Sequence, residues 1–408
     1  METSNTNEKW QFWPVMLLAF FYPVNWSLIS LAIPLYFYKQ GINILLIGII
    51  AAGTTMTYCF SPLLFRKFGE RIGRRKSLII ALLGTSLAQL VFYFSLQPFI
   101  FLISRIIEGF ITGLFWTSLQ SSISDDNTKK SDYYTSRYNF SWNIGQTIGL
   151  LIGAITLFFV NDVQFIFFLA PILVFINLII SILFFQNPPK NNIVNQGLNR
   201  ENDNSVRILK ESDQSNDNNN KAYIKSENYS ISIILPFLYI ASFCIANGSI
   251  SFLYPIKSEI IGFETYTVYL LVFFALITQL ISSTFTSYLS IRVLKKVSSI
   301  SLIALIIIGV SFGITSSFII FVLLFFLMGF FTGTLYAYGL KLAIMLNKEY
   351  NTSKYSNISE STIGITALIT PIVSGYIAGI NLNLGFYFVA ILFSFILILN
   401  FFLIRKLN

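Results

Sequence analysis

The sequence predicts an all-α polytopic membrane protein: twelve transmembrane helices in two pseudo-symmetric six-helix bundles. Three observations predict it. Hydrophobic residues make up 55% of the chain and charged residues only 11%, where a soluble domain carries about 25% charged. Apolar runs of about twenty residues, the length that crosses a bilayer, recur along the whole chain. The basic residues fall almost entirely on one side of the membrane that those runs define.

Residues 1–9 are polar and of mixed charge, without a basic segment leading into a short apolar core. The first apolar run is therefore expected to be a retained helix and not a cleaved signal. Six runs fill the first part of the chain, over 12–37, 43–65, 77–97, 99–122, 140–160 and 163–185. Six more fill the last part, over 231–256, 266–290, 298–316, 318–345, 358–380 and 383–404. Residues 187–230 lie between the two sets and are rich in Asn, Ser, Asp and Lys. Such a segment cannot bury enough apolar surface to fold alone. The expected organisation is an N-terminal bundle over 1–186, a flexible cytoplasmic linker over 187–230 and a C-terminal bundle over 231–408.

Twelve crossings put both termini on one side, and the basic residues test that. Of the 27 Lys and Arg, 24 lie on the side of the termini, two (Lys39 and Lys257) on the other, and Arg105 falls inside a helix. Basic loops stay in the cytoplasm, so both termini are expected there, in the cell membrane. The densest of these loops, Arg66 to Lys76, carries six basic residues in eleven positions.

Other function classes find little footing. The net charge of +9 is spread over short loops, which offers no basic domain to grip nucleic acid. The chain has no histidine, the commonest metal ligand and acid–base group. Cys59 and Cys244 stand inside apolar runs and read as small hydrophobes. No phosphate-binding Gly-x-x-x-x-Gly-Lys loop occurs, which argues against ATP-driven transport. The expectation is a protein without metal, cofactor or enzymatic activity, surrounded by lipid and working as a monomer.

The two sets of spans repeat one another. Gly109-Phe110-Ile111-Thr112-Gly113 in the fourth span precedes Gly329-Phe330-Phe331-Thr332-Gly333 in the tenth by 220 residues. Pro14, Asn25 and Ser27 precede Pro236, Asn247 and Ser249 by 222. Ser136-Arg137-Tyr138 precedes Ser353-Lys354-Tyr355 by 217. Near-constant offsets indicate a duplicated six-helix unit. Repeats with an even number of helices share an orientation, and a site forms where they meet near the bilayer midplane.

Glu70-Arg71-Ile72-Gly73-Arg74-Arg75, between the second and third spans, resembles the loop signature of the major facilitator superfamily, with Glu70 in place of its Asp. Arg66 stands where that signature has its first Gly. Arg105, Gly109 and Gly113 resemble the family's fourth-helix motif, with Glu108 replacing a Gln. Gly145, Gly149 and Gly153 keep part of the antiporter motif but lack its Pro, and close helix packing is the preferred account of them. The resemblance implies a secondary transporter working by alternating access, and a cytoplasmic gate at Glu70, Arg71, Gly73, Arg74 and Arg75. It implies that Glu70 rests against the start of the eleventh helix, near Ser356 to Ser359, when the cytoplasmic side is closed.

The candidate substrate and proton pathway starts from Arg105 and Glu108, charges well inside a span, where they are costly and usually functional or paired. At a spacing of three they can pair along one helix. At about 100° per residue, Thr112 and Trp116 each fall within about 20° of Arg105, on either side, and Glu108 about 60° aside. Thr332 and Tyr336 occupy the duplicated positions of Thr112 and Trp116, and the two pairs are expected to face each other across a cavity. Asn25 and Asn247 lie mid-helix and either bind substrate or bond across helices. Tyr239 and Tyr338 are further cavity candidates. Glu108 is either half of a static pair or a proton carrier. The expected activity is proton-coupled movement of a small organic solute, with efflux of amphipathic compounds favoured. Uptake of a sugar or other metabolite is the alternative within the same fold, and a non-transporting receptor or scaffold the alternative outside it.

Overall fold

The computed structural model describes residues 12–124, 131–186, 232–349 and 354–404. The described residues of the N-terminal half form α1 (Trp13–Lys39), α2 (Ile44–Tyr58), α3 (Ser61–Ile72), α4 (Arg74–Phe94), α5 (Pro98–Ser124), α6 (Ser131–Val160) and α7 (Gln164–Leu183). Those of the C-terminal half form α8 (Leu235–Ile261), α9 (Thr265–Tyr288), α10 (Ile291–Ile314), α11 (Phe318–Glu349), α12 (Lys354–Ile380) and α13 (Leu382–Ile404). Because α2 and α3 together make one crossing, these are the twelve expected spans. Ten of the helices are long and apolar enough to cross a membrane. Helix α2 is apolar but short, and α4 is less apolar than the others because it opens Arg74-Arg75-Lys76 and carries Thr85, Ser86 and Gln89.

Prolines set several helix starts. Pro14, Pro62 and Pro236 stand in the first turn of α1, α3 and α8, where the missing N–H would have had no partner. Pro62 also corrects the expected second span. A single helix over 43–65 would need an amide at 62 to bind the Tyr58 carbonyl, and proline has none. The helix ends at Tyr58 and restarts at Ser61. The basic signature is not an extended loop either. Arg66 to Ile72 are helical, and only Gly73 separates α3 from α4. Gly73 has φ 87°, a backbone region that side chains disfavour, so a one-residue corner needs glycine there.

The duplication is visible in the packing. In the first half α1 packs on α6 and α7, α2 on α5, and α4 on α5 and α7. In the second, α8 packs on α12 and α13, α9 on α11, and α10 on α11 and α13. The repeated glycines sit in the same register. A methyl group on Gly109 would strike the Thr54 carbonyl and the Thr57 hydroxyl, and one on Gly329 would strike the Ala275 carbonyl and the Thr278 hydroxyl. Gly113 lies against Ser61, and Gly333 against Ser282. Helix α5 thus approaches the second span as closely as α11 approaches the eighth.

The halves touch along α2 with α12, α6 with α9, and α1 with α8. One set of direct contacts between them lies on the side of the bundle opposite the termini. Lys39 meets Glu259 at 3.1 Å and donates to Thr265 at 2.8 Å. The Phe158 and Tyr266 rings lie 5.3 Å apart, and the Tyr269 hydroxyl donates to the Leu28 carbonyl at 2.6 Å. Gly48 faces the Pro371 carbonyl, Gly375 the Ile44 carbonyl and Gly364 the Cys59 side chain. Pro371 leaves the Ala367 carbonyl without its helical donor, and the Thr55 hydroxyl lies 3.4 Å from it.

The hydrophobic core follows the same division. One cluster runs through both halves, from Val24–Phe37 of α1 across to Leu253, Tyr269 and Phe321. A second, built on Val15, Leu18, Tyr22, Leu82, Phe115 and Val174, belongs to the N-terminal half alone. Apolar contact joins the halves on the side away from the termini. Helix α3 packs on α4 and α5.

Candidate functional site

Arg105 and Glu108 meet as an ion pair, Nη1 to Oε2 at 2.5 Å, and both are buried. The Gln89 amide of α4 donates to the other carboxylate oxygen at 2.8 Å. One turn on, the Thr112 hydroxyl lies 2.8 Å from the Tyr22 hydroxyl and donates to the Glu108 carbonyl at 2.7 Å. Gly53 admits the Arg105 side chain, since a methyl there would lie 2.9 Å from the Arg105 Cβ. The pair therefore sits inside the N-terminal bundle, among α1, α2, α4 and α5. Its hydrogen bonding is incomplete, for Arg105 Nε and Gln89 Oε1 have no partner among the described residues.

Thr112 and Thr332 do not face one another. Both are buried in their own halves, and Thr332 donates to the Met328 carbonyl one turn back at 2.8 Å. The hydroxyl of a mid-helix threonine satisfies itself on its own helix, which a count of helical angles does not reveal. Trp116 and Tyr336 are half-buried. Tyr138 of α6 is buried, and its ring centroid is 6.5 Å from that of Trp116. Tyr239 and Tyr338 are fully buried and stacked at 5.0 Å, with the Tyr239 hydroxyl donating to Asn400 Oδ1 at 2.6 Å. They belong to the core of the C-terminal half.

Asn25 is buried, and its Oδ1 has no partner among the described residues. Asn247 is half-buried and donates to the Phe243 carbonyl at 3.1 Å. The Phe243 ring lies 4.4 Å from that of Tyr336. No hydrogen bond joins the two asparagines.

The gate signature divides by residue. Arg75 donates to the Ile182 carbonyl at 2.6 Å, covering one of the free carbonyls at the end of α7. Arg71 is exposed and Arg74 half-buried. The Glu70 and Ser356 side chains lie outside the described residues.

The sequence reading missed Glu360. It lies one and a half turns into α12, within the apolar span 358–380. Its side chain is exposed, yet its electrostatic neighbours come from both halves: Tyr58 and Tyr138 from one, Tyr336 and Cys244 from the other. The signal was present, since a carboxylate inside an apolar run is as conspicuous as Glu108. Lys257 also differs from expectation. It is no loop residue but is buried in α8, and it donates to the Phe312 and Gly313 carbonyls at 2.5 and 2.7 Å. It closes the end of α10.

The Major Facilitator Superfamily profile matches residues 15–283 and 236–407. The tetracycline resistance protein, class H, of Pasteurella multocida is 33% identical over 143 residues, and the match spans about a third of that relative's length, 35% of each chain. Among solved structures, a bacterial homologue of the human lysosomal transporter Spinster, in an inward-facing and occupied conformation, has a TM-score of 0.74 at 9% identity, over 97% of this chain and 96% of that one. A D-xylose–proton symporter has a TM-score of 0.69 at 14% identity, over 97% of this chain and 98% of that one. The nucleoside transporter NupG has a TM-score of 0.68 at 14% identity, over 97% of this chain and 98% of that one. At those identities the likeness to the structures is one of fold. The family profile, by contrast, covers nearly the whole length, and the chain belongs to the Major Facilitator Superfamily, a family of membrane transporters.

Proposed function

We propose that the protein is a proton-coupled exporter of small amphipathic organic molecules in the cell membrane, with both termini in the cytoplasm. Residues 1–186 and 231–408 are the two moving halves, and 187–230 tethers them. The observation that carries this reading is the set of aromatic residues on facing helices: Trp116 and Tyr138, 6.5 Å apart, in the first half and Tyr336 beside Phe243, 4.4 Å apart, in the second. An aromatic wall with hydroxyl tips suits solutes that are apolar on one face and polar on the other. The stretch shared with a tetracycline resistance protein favours export over uptake.

Proton coupling falls to the Arg105–Glu108–Gln89 cluster. Arg105 Nε and Gln89 Oε1 are both without partners among the described residues. A second arrangement is therefore open to the cluster, in which Arg105 turns to donate to Gln89 and releases Glu108. A buried carboxyl freed from its arginine takes up a proton. When the pair re-forms, the proton leaves.

The test is transport in proteoliposomes under an imposed pH gradient, with tetracycline as the first probe and a panel of amphipathic solutes beside it. Solute should move against the proton gradient in the parent, and Glu108→Gln should abolish that dependence. Solute flux that ignores the gradient, or a Glu108→Gln variant that responds as the parent does, overturns the coupling. Flux of sugars alone would favour uptake of a metabolite.

A further inference from the structure

The outer ends of the two halves are built differently. In the second half Lys257 is buried near the end of α8. It donates to the Phe312 and Gly313 carbonyls at 2.5 and 2.7 Å and to Asn383 Oδ1 at 3.2 Å. Its ammonium lies 5.9 Å from the centre of the Phe321 ring and 5.4 Å from that of Phe386, within the range at which a ring attracts a cation. One side chain thus ties α8 to the end of α10 and to the starts of α11 and α13. The α8–α9 turn is held there too, for the Phe263 ring lies 5.6 Å from that of Phe318 and 5.9 Å from that of Phe321.

The first half fills the same place without a charge. Gly41 and Gly262, both at positive φ, follow the ends of α1 and α8. Tyr36 stands as far before Gly41 as Lys257 stands before Gly262. The Tyr36 ring lies 5.5 Å from that of Phe167, so the duplicated unit folds with an aromatic residue at this position. Beside it a cavity of about 390 Å³ lies between the end of α1 and the α4–α5 turn, with Gln40, Ser95 and Gln97 in its wall. In the second half the corresponding α10–α11 turn is pinned by Lys257. A buried ammonium is costly, and packing alone does not call for it where an aromatic ring suffices in the sister half.

Across the helix from Lys257 lies the contact between the halves. Residues two apart on a helix point about 200° from one another, so Glu259 leaves α8 on nearly the opposite face. Its carboxylate meets Lys39 of the first half at 3.1 Å. Thr265 joins both, accepting from Lys39 Nζ at 2.8 Å and donating to Glu259 Oε1 at 3.3 Å. We propose that Lys257 is a positioning residue of the outer gate: by pinning the outer end of α8 to α10 and α13, it holds Glu259 in place for Lys39. The second half is then the fixed side of that gate, and the end of α1, beside its cavity, is the side that yields. An exposed ion pair loses most of its worth to the freedom of the groups that form it, and a carboxylate on a pinned helix end loses less. The proposal rests on the reading of a transporter that alternates between two open states, and not on its solute or its driving ion.

The experiment is a double-mutant cycle read by disulfide crosslinking between F158C and Y266C, in purified full-length protein lacking Cys59 and Cys244, at low salt. Lys257→Tyr installs the residue of the first half and removes the charge. It should slow crosslinking by about two- to fivefold, as much as Glu259→Gln does. In the Lys257→Tyr background, Glu259→Gln should add less than about 1.5-fold, because the pair it breaks is already out of place. The Lys257→Tyr effect should fade in high salt although the lysine itself is buried, since the exposed pair through which it acts is screened. If Lys257→Tyr does not fold, Lys257→Met carries the same cycle. Crosslinking at the parent rate in the folded variant, effects of the two substitutions that multiply, or an effect that persists in high salt overturns the proposal. The outcome is separable from that of the coupling test, since neither solute nor gradient enters it. Flux that ignores the proton gradient beside a non-additive cycle sinks only proton-coupled export. Gradient-driven flux beside multiplying effects sinks only this role of Lys257.

Discussion

Gly48→Ala should drive the halves apart on the side away from the termini. A methyl group at Gly48 would stand 2.5 Å from the Pro371 carbonyl oxygen and 3.3 Å from the Phe252 ring. The ring edge can give way, but the carbonyl is backbone in the middle of α12 and cannot. Ordinary contact begins near 3.4 Å, so α2 and α12 must separate by most of an ångström. Overpacking of this kind costs about 1–3 kcal/mol. The cost falls only on the state in which these helices touch, so it converts into a shift of about 5- to 150-fold towards the opposite state. The assay is disulfide crosslinking between F158C and Y266C, whose native rings lie 5.3 Å apart, in a background lacking Cys59 and Cys244. Crosslinking should slow by about the same factor as the population shift. The control is Gly53→Ala, whose methyl would lie 2.9 Å from the Arg105 Cβ within one half. It should lower thermal stability and leave the crosslink unchanged. Equal crosslinking in Gly48→Ala and the parent would refute the reasoning.

Two further substitutions probe the frame. Lys257→Met removes the donor from the Phe312 and Gly313 carbonyls and should destabilise the solubilised protein by about 1.5–3 kcal/mol, read as a lower unfolding midpoint; an unchanged midpoint would mean that water caps α10 as well as the lysine does. Glu259→Gln breaks the Lys39 ion pair, whose lysine side chain is 37% exposed. A pair so placed is worth about 0.2–1 kcal/mol. The F158C–Y266C crosslink should therefore slow by less than about fivefold, with the difference fading in high salt. A larger or salt-insensitive effect would show that the contact is more than a rim charge pair.

Legibility differed from element to element. Apolar runs of bilayer length are strong signals, and the twelve spans emerged with boundaries close to the helices observed. The exception was the second span, where Pro62 stood in plain sight and its consequence for the Tyr58 carbonyl was not drawn. The Arg105–Glu108 pair was legible because a spacing of three on a helix allows little else. Its third member, Gln89, was not, since it arrives from α4. Thr112 and Thr332 were correctly paired as duplicates, yet equivalence by duplication says nothing about which way a side chain turns. Glu360, a carboxylate near the start of the eleventh span, was visible in the sequence and passed over.

By itself, the sequence determined the membrane, the number of crossings, the duplication and the family, because these rest on length, hydropathy and spacing along the chain. Only the tertiary structure decided where the halves touch, which charges are matched, and which side chains are buried. Those properties belong to contacts between helices distant in sequence, and the physical reason is directional. A helix presents every side chain to some neighbour, and only packing determines whether that neighbour is lipid, core or the space between two halves.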